Sequence, residues 1–417
     1  MAALPAELID LVVENINADD GMHDLKSCCL VASLFQYPSQ KRIHRSLTLA
    51  FDRGSLHSED FVASPHYLWR NILSRLENHP HLAEHVVQLH LFLPSSRPLE
   101  ESADSLLAMG FVLNKLHNVR ELKITGLSIG GSPHVWSRLP PKFTEALFAW
   151  LRARAAADGR LGHISCSFVN ELTPVAIQHM LAASSSLEFT YCRVPGEDSE
   201  GASGLPMLLP PTSGRAWGRL GFYQSQPVVL FLLRPDYQGN LVKGLKKLTL
   251  SSSDLPGPSS QLCCAVVHGI EDFTLYMSGS ARTDRELGLP QQFPRLRRLE
   301  LMGSNTFAYN KDIFPQILPV YFAPKSTPAL SHVVVNMSIW VRNVQSTLAS
   351  LSFENGVDDY CATHPTVKKL SLVLKFSLVG KGPRLRVENL NHTLLAESLR
   401  AALPKMAAKG QLEVLFK

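Results

Sequence analysis

Apolar positions return in one six-residue figure along most of this chain. It reads "VRELKI" at 119–124, "LKKLTL" at 245–250, "LRRLEL" at 296–301 and "VKKLSL" at 367–372. Looser copies are "VVQLHL" at 86–91, "IEDFTL" at 270–275 and "LSHVVV" at 330–335. Apolar residues at positions one, four and six arise often by chance. The basic residues that recur at positions two and three are less easily dismissed, as are the small polar turn formers "TG", "SSS", "YMSG" and "MGSN" that follow. Each sextet predicts a short parallel strand. Positions four and six face a core, position one packs in the turn entering the strand, and the intervening residues point outward. Such a strand cannot bury its apolar face alone, so neighbouring copies must stack.

Between the sextets the spacing changes to that of helices. Helices are predicted at 105–116, 143–157, 173–183, 341–351 and 392–403, the third with Thr173 as its cap and Pro174 at its first position. Strand, helix, strand in this order gives a parallel sheet with helices on its other side. The final "LEVLFK" reads as a last strand. Residues 193–227, rich in Gly, Pro and Ser, read as a flexible loop or linker that divides the array or inserts into it, and 93–104 reads similarly.

The first fifty residues follow another pattern. Pro5 is expected at the first helical position, with Glu7 beside the positive end of the dipole and Leu8, Leu11, Val12 and Ile16 on one face. "ADDG" ends that helix. Asp24 then caps a second, in which Leu25, Cys28, Cys29, Ala32 and Phe35 repeat at three and four residues, and Pro38 stops it. "SQKRIHRSL" makes a third short helix leading into the extended "LTLAF".

These residues carry a resemblance. "LPAELIDLVVENI", "DLKSCCLVASLF" and "RIHRSLTL", over roughly 3–49, resemble the F-box, the helical module of substrate receptors in cullin-type ubiquitin ligases, and especially its forms in large fungal families. Phe35 stands where a tryptophan is frequent, and Tyr37-Pro38 where polar residues usually continue. The sextets are similar to the irregular leucine-rich repeat, although the usual asparagine appears only late, as Asn305, and copy spacing is uneven. The implied fold class is α/β: a three-helix F-box over 1–50, then a degenerate leucine-rich-repeat-like solenoid over 51–417 with a parallel sheet and outer helices. The implied partners are a Skp adaptor, through it a cullin, and a protein substrate. By position, adaptor contacts carry over to Leu4, Pro5, Leu8, Leu25, Val31 and Phe35. The rival reading is a repeat-type interaction scaffold without a ligase role, its N-terminal helices capping the array.

Composition changes this picture little. The chain has 417 residues, 45% hydrophobic and 18% charged, with a net charge of +5 and no basic block of the kind nucleic-acid binders carry. Seven cysteines without a C-x-x-C spacing, four of them in the adjacent pairs Cys28–Cys29 and Cys263–Cys264, suit neither zinc nor a disulfide framework and point to a reducing compartment, cytoplasmic or nuclear. No signal peptide is read at the N-terminus, and the longest apolar run, 228–233, is far short of the roughly 20 residues that span a bilayer.

Candidate chemistry is sparse. His81 and His85 lie at zinc-binding spacing in "ENHPHLAEHVVQLH", but the H-E-x-x-H arrangement is not met and no further ligand is evident. "VGKGPR" at 379–384 lacks the Walker spacing, and no G-x-S-x-G elbow occurs. No metal, cofactor or catalytic residue is expected; binding is. In a solenoid the binding surface is the outward strand row, with Lys123, Lys247, Thr274, Tyr276, Arg298 and Glu300 as substrate contacts.

Overall fold

The computed structural model describes residues 5–16, 22–50, 66–93, 103–126, 134–156, 160–195, 218–235, 244–277, 287–304, 313–341, 356–378 and 392–416. Of the expected helix at 341–351, Val341 ends a strand and 342–351 lie outside them, as do the glycine-rich 379–384 and Asn305. Two compact units divide the chain, Met1–Gly214 and Arg215–Lys417. The division falls within the Gly/Pro/Ser-rich segment.

The first unit opens with three helices, α1 (Ala6–Asn15), α2 (Met22–Val31) and α3 (Ser33–Ile43). Strand β1 (Ser46–Ala50) follows directly and pairs in parallel with both β2 (His66–Leu68) and β3 (Gln88–Phe92). The end of the expected 1–50 module is therefore already part of the sheet. After α4 (Trp69–Asn78) and α5 (His81–His85), the order continues through α6 (Ala103–Lys115), β4 (Glu121–Thr125), β5 (His134–Val135), α7 (Pro141–Ala156), β6 (His163–Ser167), β7 (Val169–Asn170), α8 (Pro174–Ala183) and β8 (Ser186–Thr190). The sheet runs β2-β1-β3-β4-β6-β8, every pair parallel, and β5 with β7 forms a separate two-stranded ribbon. Helices α4, α6, α7 and α8 pack each on the next, and Trp69 meets Phe143 edge-on at 5.9 Å.

In the second unit come β9 (Arg219–Tyr223), α9 (Gln226–Leu232), β10 (Lys247–Ser251), α10 (Pro258–Val266), β11 (Asp272–Met277), β12 (Arg298–Ser304), α11 (Ile313–Tyr321), β13 (His332–Val341), α12 (Gly356–Thr363), β14 (Lys369–Leu378), α13 (His392–Ala402), α14 (Pro404–Ala408) and β15 (Leu412–Phe416). Strands β9 to β15 lie side by side in chain order, all parallel. Residues 219–223, expected within the flexible segment 193–227, are thus a strand. Its alternation was masked by the glycines around it.

The sextets behave as their spacing requires. Positions one, four and six of all seven copies are buried: Val119, Leu122 and Ile124; Leu245, Leu248 and Leu250; Leu296, Leu299 and Leu301; and so for the rest. In a parallel ladder, position one sits before the first paired residue and fills the space beneath the preceding connection. Burying each such leucine or phenylalanine contributes about 1.5–3 kcal/mol. Phe273, Phe293 and Phe322 meet at 5.4–6.1 Å between ring centres and close the core of the second unit. Among the described residues no helix is long and apolar enough to cross a membrane.

Candidate functional site

The three N-terminal helices have an inside and an outside, and both are apolar. Ile9 and Val13 on α1, Leu25 on α2 and Ile43 on α3 are buried, and Val13, Leu25 and Ile43 form a small core with Ile16, Met22, Cys29 and Phe35 packed against it. The buried stripe of α1 is therefore Ile9-Val13-Ile16, and Leu8, Leu11 and Val12, expected with Ile16 on one face, point the other way at 48–55% exposure. Leu30, Val31, Leu34 and Tyr37 are exposed too. Of the twelve large hydrophobics exposed among the described residues, seven belong to these helices, so the excess is local. Scattered apolar residues are ordinary on a surface; a concentration on one small module marks a contact face.

The predicted adaptor contacts divide accordingly. Leu8 and Val31, the latter 78% exposed, lie open, as does Pro5. Pro5 caps α1 rather than beginning it, its carbonyl accepting from the N–H of Leu8 and Ile9. Leu25 is fully buried and has no surface to offer, because its place in the second turn of α2 points it between the other two helices. Phe35 is half-buried against the same core. Leu4 lies outside the described residues. Leu30, Leu34 and Tyr37, which the reading of the residues passed over, are the largest additions. Their signal was the run "CCLVASLF", too densely apolar for one helix face to absorb. Three expectations about α2 and α3 fail here. Ala32 is extended, separating α2 from α3, and Pro38 lies inside α3 rather than ending α2. Asp24 sits within the first turn of α2, not at its cap.

On the second unit, register brings the predicted strand residues into rows. Lys247, Asp272, Arg298, His332 and Lys369 are successive cross-strand neighbours, and one step outward run Thr249, Thr274, Glu300, Val334, Ser371 and Glu413. The charges satisfy one another. Lys247 pairs with Asp272 at 3.4 Å, Arg298 with Glu300 at 3.1 Å and Lys369 with Glu413 at 3.0 Å. The Asn336 amide donates to Glu300, Ser371 donates to Glu413 at 2.7 Å, and His332 shares a hydrogen bond of 2.9 Å with Ser371. Burial, with Arg298 and Lys369 nearby, lowers the His332 pKa and keeps it neutral. Beyond these rows Ser251, Tyr276, Met302, Asn336 and Val373 align, and Tyr223 stands edge-on to Tyr276 at 4.8 Å. Of the predicted contacts, Lys247, Tyr276, Arg298 and Glu300 reach this surface. Thr274 is buried between its neighbours and has little to offer a ligand. Lys123 is exposed on β4 of the first unit, beside His90 and Ser165.

The histidines form an edge-to-edge chain. His79 lies 6.1 Å from His81 and His81 lies 6.2 Å from His85, while Tyr37 stands edge-on to His85 at 5.2 Å. Among the described residues no group of three or more His, Cys, Asp or Glu side chains is placed to hold a metal ion. No known family model matches the chain, and no curated protein does.

Proposed function

We propose that the chain is a substrate-receptor subunit of a cullin-type ubiquitin ligase. The N-terminal helices are its F-box and dock on the Skp adaptor; the α/β body is an irregular leucine-rich-repeat array that holds a protein substrate. The observation that carries this reading is the outward apolar set Leu8, Leu11, Val12, Leu30, Val31, Leu34 and Tyr37 on a module whose own core is already filled by Val13, Leu25 and Ile43. A helical cap would turn that set against its own array. Here the inner stripe fills the module's own core and a second stripe is left over. The mechanism is proximity: tethering raises the effective concentration of a target lysine beside the charged conjugating enzyme, and this chain supplies no catalytic group. The reading places the chain in cytoplasm or nucleus, where that machinery works.

The test is capture of purified Skp adaptor by the full-length chain and by the double variant Leu8→Asp/Val31→Asp. Both positions are exposed, so the variant should melt within a few degrees of the parent. Loss of two apolar contacts at an interface centre should weaken adaptor binding at least thirtyfold, about 2 kcal/mol or more. A parent chain that does not bind the adaptor, or a variant that binds equally well, rejects the proposal.

A further inference from the structure

Where the N-terminal helices meet α5 and the entry to β3, a cleft of about 250 Å³ remains that shares only Tyr37 with the proposed docking face. One wall is α1, with Asp10 and Glu14 one turn apart; the opposite wall is the end of α3, with Lys41, Arg42 and then Arg45. Glu84 and His85 of α5 form its base. The two walls carry opposite charge but their charges do not pair: among the described residues none of the three cations is ion-paired with a carboxylate within 4.0 Å.

Two nitrogens here are buried without a partner. His85 is only 6% exposed, yet its Nε2 has no hydrogen bond, and neither does the buried Nε of Arg42. A buried polar group left unmade costs about 1–3 kcal/mol, so a guest that satisfies both has a ready source of affinity. The edge-on Tyr37 ring holds the imidazole in place, and burial, with His81 adding like charge, keeps His85 neutral.

We propose that this cleft binds a small zwitterion of the free amino-acid class, its carboxylate taken by Arg42 and His85 and its ammonium by Asp10 and Glu14. Charge selects the class. Three acids face three bases around the cleft, so a phosphate would meet Asp10, Glu14 and Glu84 as like charges and a simple amine would meet Lys41, Arg42 and Arg45. Size agrees, since a water fills about 30 Å³ and the space suits one molecule of on the order of ten heavy atoms. A guest bridging α1 and α3 to α5 fixes the angle at which the helical module sits on the first strands.

The experiment is saturation-transfer NMR and thermal melting of the full-length chain with each common amino acid at millimolar concentration. Inorganic phosphate and ethylamine serve as single-charge probes. At least one amino acid should give a saturable signal and raise Tm, with both single-charge probes at least tenfold weaker. Arg42→Gln and Asp10→Asn should each weaken that binding at least tenfold, and Arg400→Gln, on an exposed position of α13, should leave it unchanged. The probe comparison on the unaltered chain stands even if a variant misfolds. Absence of signal from every amino acid, phosphate binding as tightly, or signal surviving both variants overturns the assignment.

Discussion

His44 ends α3 at the foot of the helical module, and its environment makes it a pH-sensitive joint. A helix C-terminus favours a cation, yet burial prevails and the imidazole pKa falls to about 4, with Arg75, His85 and His81 adding like charge. The unfolded chain takes up this proton near pH 6.5 and the folded chain only near 4. Stability supplied by the neutral ring is therefore complete above about pH 6.5 and drains away as pH falls toward 4, by up to about 3 kcal/mol. The expected outcome is a Tm that drops between pH 7 and 4.5, with His44→Gln showing a visibly shallower drop. Parallel curves for the two proteins would show that His44 does not carry the effect. His85, also held neutral by burial, adds to the slope in both and leaves the difference to His44.

At the scale of elements, a carboxylate joins two helices distant in sequence. Asp358 in α12 is buried and accepts from the N–H of Lys405 at 2.8 Å and of Met406 at 2.9 Å, closing the first turn of α14. Helix starts leave donors unmet, and a negative charge there is favoured by the dipole as well. Asp358→Ala leaves both donors buried and bare, so urea unfolding should report a loss of about 2–4 kcal/mol, whereas Asp358→Asn, which keeps one acceptor oxygen, should lose less. Equal losses would mean that the carboxylate only fills space. The same scale shows why some elements were legible and others were not. The sextets could be read because Leu248, Leu250 and their counterparts each make a local choice that agrees with the global one: period two, a turn after, a core beneath. The break between α2 and α3 could not, because Ala32 carries no breaking signal and Pro38, which does, is accommodated inside α3. Leu8 and Ile9 show the same limit. Both are apolar, and only the position of the neighbouring helices decides which of the two faces inward.

For the whole molecule, stability is distributed as unevenly as burial. The strands of each sheet hold apolar residues with essentially no exposure on successive neighbours, while the N-terminal helices share a core of three buried residues and a few half-buried ones. A module that small supplies little free energy of its own and depends on its junction with the body. Amide hydrogen exchange should then rank the chain clearly. Amides of β10 to β13 should exchange slowest, and those of α1 and α2 should open first, at rates at least a hundredfold greater, about 3 kcal/mol less protected. On the proposed receptor reading, adaptor binding would cover Leu8, Leu11, Leu30 and Val31 and stabilise the helices by mass action, so saturating adaptor should slow exchange in residues 6–31 while leaving β10 to β13 unaltered. This connects the exposed stripe to its proposed use, because an apolar face on a marginal module gains both burial and order from one partner. Protection of α1 and α2 equal to that of the strands in the free chain would mean that the helices need no partner, and would favour the scaffold reading over the receptor.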